Sequence, residues 1–349
     1  MNDALPARTG KRAPDLQGPA GDSPGPGAAI LACSGAVAAT VLVAVPSWLL
    51  LGNPAVGAGH PALPVLLVAA VALGLLWSFL LVRRFSLVTR AGLVRHANGK
   101  VVRWKFVRGI LGRMAALGLV AGLAWLNPFP HQPSGAGGQT TGTTTEDATS
   151  ITLAPEHQAS AGLVFYPGAR VDAHAYQDIL GPLANAGYLV VILKVPLGIS
   201  LLDTGQARSA MDRHPEISSW AVGGHSLGGV SASSFAKSNH DVSGLLLYAS
   251  YPADNLTGAH GLLVTSIAGS NDGLSTPEKI AASKALLPPA TSFVTVEGGV
   301  HAFFGDYGEQ PGDGLPGITR EQAQQQITAA SVRFMDLLPA PGTDPIPTQ

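Results

Sequence analysis

Residues 28–51 run without one charged side chain, and residues 62–82 repeat the pattern. Runs of about 20 apolar residues match the hydrocarbon core of a bilayer. In lipid every backbone N–H and C=O must be paired within the segment, so such runs are restricted to helices. Residues 107–126 form a third, weaker run, because Arg108 and Arg113 lie in its first turns; their long side chains are expected to reach the interface. Trp48 and Trp125 stand near span ends, where indole rings favour the headgroup level. A chain of 349 residues that is 46% hydrophobic and 12% charged, with a mean hydropathy of +0.27, fits this reading. The first run exceeds a signal-peptide core, and no convincing cleavage site follows it before the next apolar run.

The net charge of −1 conceals an asymmetry. The first 150 residues carry 12 basic and 5 acidic side chains, and the remainder 9 and 17. The loop between the first two runs has no Lys or Arg. The next loop holds Arg83, Arg84, Arg90, Arg95, Lys100, Arg103, Lys105 and Arg108 without an acid. Basic loops stay on the cytoplasmic side, so three crossings place everything after Leu126 outside. Contact of this loop with anionic lipid headgroups is favoured over nucleic acid. Within it, residues 92–104 read as a hairpin turning at Asn98-Gly99. The lone Cys33 excludes an intramolecular disulfide and reads as a small buried side chain.

Composition divides the chain further. Residues 1–27 are rich in Pro, Gly, Asp and Arg, as in a disordered tail. Residues 28–126 are the transmembrane region. Residues 127–158, with their Gly, Thr and Ser, read as a flexible linker that holds a globular domain off the membrane. Residues 159–338 form that domain, and 339–349 a C-terminal tail. In the domain, strands at 162–166, 188–195, 220–223, 244–249, 262–268 and 293–296 alternate with helices at 173–186, 201–213, 227–237, 277–287 and 319–337. Repeated βα units predict a doubly wound, mostly parallel sheet, with ligands at the carboxyl ends of its strands. Thr319 followed by Gln322 is a capping pattern for the last helix.

One turn in this domain carries chemistry. Gly224-His225-Ser226-Leu227-Gly228 follows a short apolar strand and opens a helix. Glycines permit the sharp turn, which exposes the Ser226 hydroxyl above the sheet and aims the Leu227 N–H at a developing oxyanion. Gly21-Asp22-Ser23-Pro24-Gly25 matches the same loose pattern but has no strand before it and belongs to the tail. A glycine-rich turn with a bystander serine is the bland reading of Ser226. It loses ground because a serine nucleophile needs a histidine base and an orienting carboxylate, and on a doubly wound sheet with such a turn the chain order is Ser, then Asp or Glu, then His, each after a strand. Asp272 follows one strand in Gly269-Ser270-Asn271-Asp272-Gly273, and His301, the last histidine, follows the next. Asp254 is the runner-up acid, and His225 reads as a packing residue. Ala169, in the loop after the first strand, supplies the second oxyanion donor. Arg170 beside it reads as a surface ion-pair former, with an anionic substrate as its other use. Residues 303–317, rich in Gly and Pro, are expected to edge the pocket and set substrate access.

With Gly224-His225-Ser226-Leu227-Gly228-Gly229, Gly-Ser-Asn-Asp-Gly at 269–273 and Gly-Gly-Val-His at 298–301, residues 160–337 resemble the α/β-hydrolase superfamily, in its compact dienelactone-hydrolase-like branch. The resemblance implies an eight-stranded fold, trimmed here at its start because little precedes Gly162. Dienelactone hydrolases use a cysteine nucleophile; this chain has serine, so their lactone substrate does not carry over. The expectation is a membrane-anchored serine hydrolase acting on a small-molecule or lipid-like ester through an acyl-enzyme, without cofactor or metal and without nucleic acid. An acyltransferase using the same site, and a catalytically silent binding domain, are the alternatives. The topology has its own check: a cytoplasmic reporter fused after Ser150 is expected to be inactive, and an active fusion inverts the orientation.

Overall fold

The computed structural model describes residues 26–91, 99–133 and 140–338. It opens with α1 (Pro26–Gly52), a short α2 (Pro54–Ala58), α3 (Ala62–Ala91) and α4 (Gly99–Trp125). Three of these contain segments long and apolar enough to cross a bilayer: Cys33–Gly52, Ala62–Arg84 and Phe106–Trp125. Their contacts are made by small and branched side chains. Leu42 and Ala38 meet Ala116 and Val120, and Leu49 meets Leu63, Leu67 and Leu123. Gly74 lets α3 lie against Leu42 and Val43 of α1, where a Cβ would collide. Val65, Leu76, Phe79 and Leu117 face outward and are exposed, as lipid-facing side chains must be. The protein is a multi-pass membrane protein.

Three readings change in this region. Residues 99–104 are helical, not the second arm of a hairpin; residues 92–98 lie outside the described residues. Arg113 does not reach for an interface: its guanidinium donates to the carbonyls of Gly109 and of Leu31 on α1. Cys33 is exposed rather than buried. The tail residues 1–25, with the second serine motif, and 339–349 lie outside the described residues.

The remaining elements are β1 (Thr143–Glu146), β2 (Ser150–Ala154), β3 (Ala161–Tyr166), α5 (Gln177–Asn185), β4 (Leu189–Leu193), α6 (Gln206–Asp212), β5 (Ser219–His225), α7 (Leu227–Ser238), β6 (Val242–Tyr248), β7 (Leu263–Gly269), α8 (Pro277–Ser283), β8 (Ser292–Val296) and α9 (Arg320–Asp336). The eight strands form one sheet in the order β1-β2-β4-β3-β5-β6-β7-β8. β3 to β8 are parallel to one another, and β1 and β2 are antiparallel at the edge. Alternation along β3 shows why both faces are covered. Leu163 and Phe165 pack with α5 and α9, while Val164 and Tyr166 pack with α6 and α7. Burying a side chain such as Phe165 contributes about 1.5–3 kcal/mol. The capping box at Thr319 and Gln322 is present at the start of α9.

The hairpin β1–β2 corrects two expectations, a linker over 127–158 and a sheet trimmed at its start. β1 is Thr-Thr-Thr-Glu with every residue exposed, so it has no apolar alternation to betray a strand. Asp147 Oδ1 accepts from the N–H groups of Thr149 and Ser150 at 2.6 and 2.8 Å and builds the turn. Nor is the domain held off the membrane. Asn53 Nδ2 donates to Asn127 Oδ1 and to the Pro128 carbonyl at 2.7 and 2.8 Å. Leu197, after β4, packs among Leu49, Val56 and Leu63 at the helix ends.

The edge hairpin is tied in by charge. His174 contacts Asp172 Oδ1 at 2.8 Å through Nδ1 and Glu146 Oε2 at 3.2 Å through Nε2, and Lys194 Nζ lies 2.5 Å from Glu146 Oε1. Both imidazole nitrogens meet carboxylates, which only the doubly protonated ring satisfies. The hydrogen bond to Asp172, ahead of the other causes, raises the His174 pKa above its ordinary 6.5. The folded state therefore holds this proton more tightly than the unfolded chain. The stabilisation is fully present below pH 6.5 and is lost as pH rises through the raised value. In thermal melts, wild type is expected to exceed His174→Gln most below that pH, with the gap closing on alkalinisation.

Candidate active site

The turn between β5 and α7 is built by close approach. A Cβ at Gly224 would strike Gly228, one at Gly228 would strike the Tyr166 and Pro167 carbonyls, and one at Gly229 would strike Ser250. Ser226 at the apex adopts φ 52° and ψ −120°, a conformation disfavoured for any residue with a side chain and held only where surroundings over-determine it. Those surroundings are specific. Ser226 N–H donates to the Tyr248 carbonyl at 3.0 Å, and Ser250 Oγ donates to the Ser226 carbonyl at 2.6 Å. Leu227 begins α7, where the first N–H groups have no intrahelical acceptor.

Asp272 and His301, predicted from different loops, meet. His301 Nδ1 lies 2.8 Å from Asp272 Oδ2, and both side chains are fully buried. Asp272 Oδ1 accepts from the N–H groups of Leu274 and Ser275 at 2.8 and 2.7 Å. The carboxylate therefore has a fixed direction and accepts a hydrogen bond from Nδ1–H, which leaves the His301 Nε2 lone pair uncommitted. That atom is buried and has no hydrogen-bond partner among the described residues. No bond joins it to Ser226 Oγ in this structure. Asp254, the runner-up acid, pairs with Lys237 at 3.3 Å at an exposed position.

His225 supports the turn from beneath. Its ring lies 4.5 Å from that of His301 and stacks on Phe304 at 6.0 Å. Burial first, then the neighbouring His301, holds its pKa well below 6.5, so it is neutral. Gly168 N–H donates to Tyr176 Oη at 2.9 Å. Tyr176 Oη also lies 2.9 Å from His225 Nδ1, a second hydrogen bond at the same hydroxyl. These bonds fix the loop after β3. Arg170 N–H donates to the Gly198 carbonyl at 2.7 Å, and Val171 N–H to the Gly168 carbonyl at 3.1 Å. Ala169 N–H, between two engaged neighbours, has no acceptor among the described residues. Arg170 forms no ion pair with an acid among the described residues, contrary to expectation. Its guanidinium lies over Trp125 and Phe129 at 4.7 and 5.0 Å and donates to the Trp125 carbonyl at 2.5 Å.

Two residues escaped the sequence reading. Asp313 accepts from the N–H groups of His301 at 3.1 Å, Ala302 at 2.8 Å and Gly273 at 3.2 Å. One carboxylate thus ties the loops of Asp272 and His301 together. Arg320 donates to the carbonyls of Ala302, Gly305 and Gly308 and holds the turn after His301. Asp313 lies in a Gly-Pro-rich segment with no local signal, and the 303–317 loop proves to be a brace for two site loops.

Residues 162–326 match the family model described as "Alpha/beta hydrolase family". This part of the chain is similar to that family and has the mixed α/β sheet of its fold. Among solved structures, the chain is similar to a dienelactone hydrolase-like promiscuous phosphotriesterase from metagenomic libraries, with 18% identity over 54% of this chain and 92% of that one and a TM-score of 0.41. It is also similar to a predicted CIB-like hydrolase from Thermoplasma acidophilum, with 15% identity over 56% of this chain and 99% of that one and a TM-score of 0.43. No curated protein matches the chain.

Replacing Asp313 by Ala leaves four backbone donors, those of Gly273, His301, Ala302 and Gly314, without their acceptor. Such a loss is expected to lower unfolding free energy by about 1–3 kcal/mol. Asp313→Asn keeps one acceptor oxygen and is expected to lose less; denaturant titration of both variants checks the order.

Proposed function

We propose that this membrane protein of the hydrolase fold is a serine hydrolase cleaving carboxylic esters, with its catalytic domain on the extracytoplasmic side. The observation that carries the reading is the buried Asp272–His301 pair at 2.8 Å, whose Nε2 has no partner among the described residues and whose ring lies 4.5 Å from that of His225, the neighbour of a serine held at positive φ. Such an arrangement is costly to bury and has a ready use in nucleophilic catalysis.

In this mechanism Ser226 Oγ attacks the ester carbonyl carbon and His301 Nε2 takes the hydroxyl proton. The Asp272 carboxylate accepts from Nδ1 and stabilises the imidazolium. Charge developing on the carbonyl oxygen is met by Leu227 N–H and Ala169 N–H, two donors without an internal acceptor. Collapse of the tetrahedral intermediate breaks the bond to the alkoxide, which leaves with the proton from His301. The acyl-enzyme on Ser226 is then hydrolysed by water through the same steps in reverse roles. In this mechanism the hydrogen bond between Ser226 Oγ and His301 Nε2 forms when substrate arrives, since catalytic hydrogen bonds often tighten only then.

A fluorophosphonate probe is expected to label the purified full-length protein, and Ser226→Ala to abolish labelling. An unlabelled but folded wild type defeats the proposal and favours a binding module. On p-nitrophenyl esters, Asp272→Asn is expected to lower kcat by about ten-thousand-fold, because the imidazole loses its tautomer and its counter-charge.

A further inference from the structure

A cleft of about 520 Å3 opens where the helices end and the hydrolase domain begins. Trp48 and Gly52 of α1, Ala124 of α4, Phe129, Pro311 and Arg170 are on its wall. We infer that this cleft holds the anionic headgroup of a bilayer phospholipid, with Arg170 as its counter-charge.

Depth is the first ground. The apolar spans terminate at Gly52 and Trp125, so the cleft lies where hydrocarbon gives way to headgroups. Trp48 and Trp125 are 64% and 57% exposed beside it, at the level where indole rings settle. Acyl chains below the cleft would lie along α1 and α4, whose outward faces are apolar.

Charge is the second ground. Among the described residues on the wall, Arg170 is the sole ionisable side chain. No carboxylate lies within ion-pair distance of it among the described residues. Asp172, two residues on, is turned to His174 and to the His131 N–H. The aromatic faces of Trp125 and Phe129 attract the guanidinium but do not neutralise it. One of its five N–H groups is used by the Trp125 carbonyl, and the others have no acceptor among the described residues. A guanidinium fork with donors to spare fits a phosphate diester bidentately.

Rigidity is the third ground. The Arg170 backbone, at φ 60°, is fixed on both sides: its N–H donates to Gly198 and its carbonyl accepts from Phe129 at 2.7 Å. The cation is presented from a preset backbone. A lipid bound there would contact the residue next to Ala169, but the binding itself does not depend on Ser226 being active.

The test uses the full-length protein in nanodiscs of phosphatidylcholine with a minor share of phosphatidylglycerol. Retained lipid is counted by mass spectrometry after transfer to detergent. Wild type is expected to retain phosphatidylglycerol preferentially, and Arg170→Gln to lose about tenfold of that preference, the scale of one charge-assisted hydrogen bond. Arg170→Lys keeps the charge and is expected to retain most of it. A thermal melt of each variant confirms that the domain is folded. Equal preference in wild type and a folded Arg170→Gln overturns the inference and leaves the cleft to another occupant. Loss in Arg170→Lys as complete as in Arg170→Gln also overturns it, because stacking rather than charge is then responsible.

Discussion

The hydrolase domain depends on one steric constraint, the approach of α7 to the carboxyl ends of β3 and β5. Gly224, Gly228 and Gly229 leave no room for a Cβ against one another, the Tyr166 carbonyl and Ser250. That contact forces the chain to reverse within a single residue, and Ser226 takes the strain. The same contact aligns the N-terminus of α7 with the loop after β3. The proposed nucleophile and the two proposed oxyanion donors are therefore products of one packing event. A methyl group at any of these glycines would displace all of them together.

Hydrogen-bond accounting explains the rest of the site. Gly168, Arg170 and Val171 have their N–H groups committed, and Ala169 between them does not. Asp272 has one oxygen committed to its own loop and the other to His301. Asp313 closes the frame by binding both loops. In a buried setting each of these bonds is costly to lose, so the loops are held by accumulated polar contacts rather than by regular structure.

The membrane region is not a passive anchor. Leu197 enters the apolar cluster at the helix ends, and Arg170 is stacked on Trp125 at the end of α4. Both residues have positive φ, at 54° and 60°, and the Arg170 N–H is bonded to the carbonyl next to Leu197, that of Gly198. The loop bearing Ala169 is thereby braced from outside the hydrolase domain. The geometry around the proposed oxyanion donor is a property of the whole chain.

How far the sequence reached follows from the range of the forces involved. Helices in lipid, buried parallel strands and the capped α9 were legible, because period, length and local capping are written in neighbouring residues. The strands β1 and β2 were not, since exposed threonines look like linker until an edge is offered for pairing. The apolar run around Arg113 points to snorkelling, whereas the carbonyl of Leu31 that receives its guanidinium is distant in sequence. Sequence alone determined three membrane helices, an alternating α/β domain, and the positions of Ser226, Asp272 and His301 after strands. Tertiary structure alone decided the Asp272–His301 contact, the bracing by Asp313, and the seating of the hydrolase domain on the helix ends. Those contacts join residues far apart in the chain, and only the assembled fold brings them within hydrogen-bonding distance.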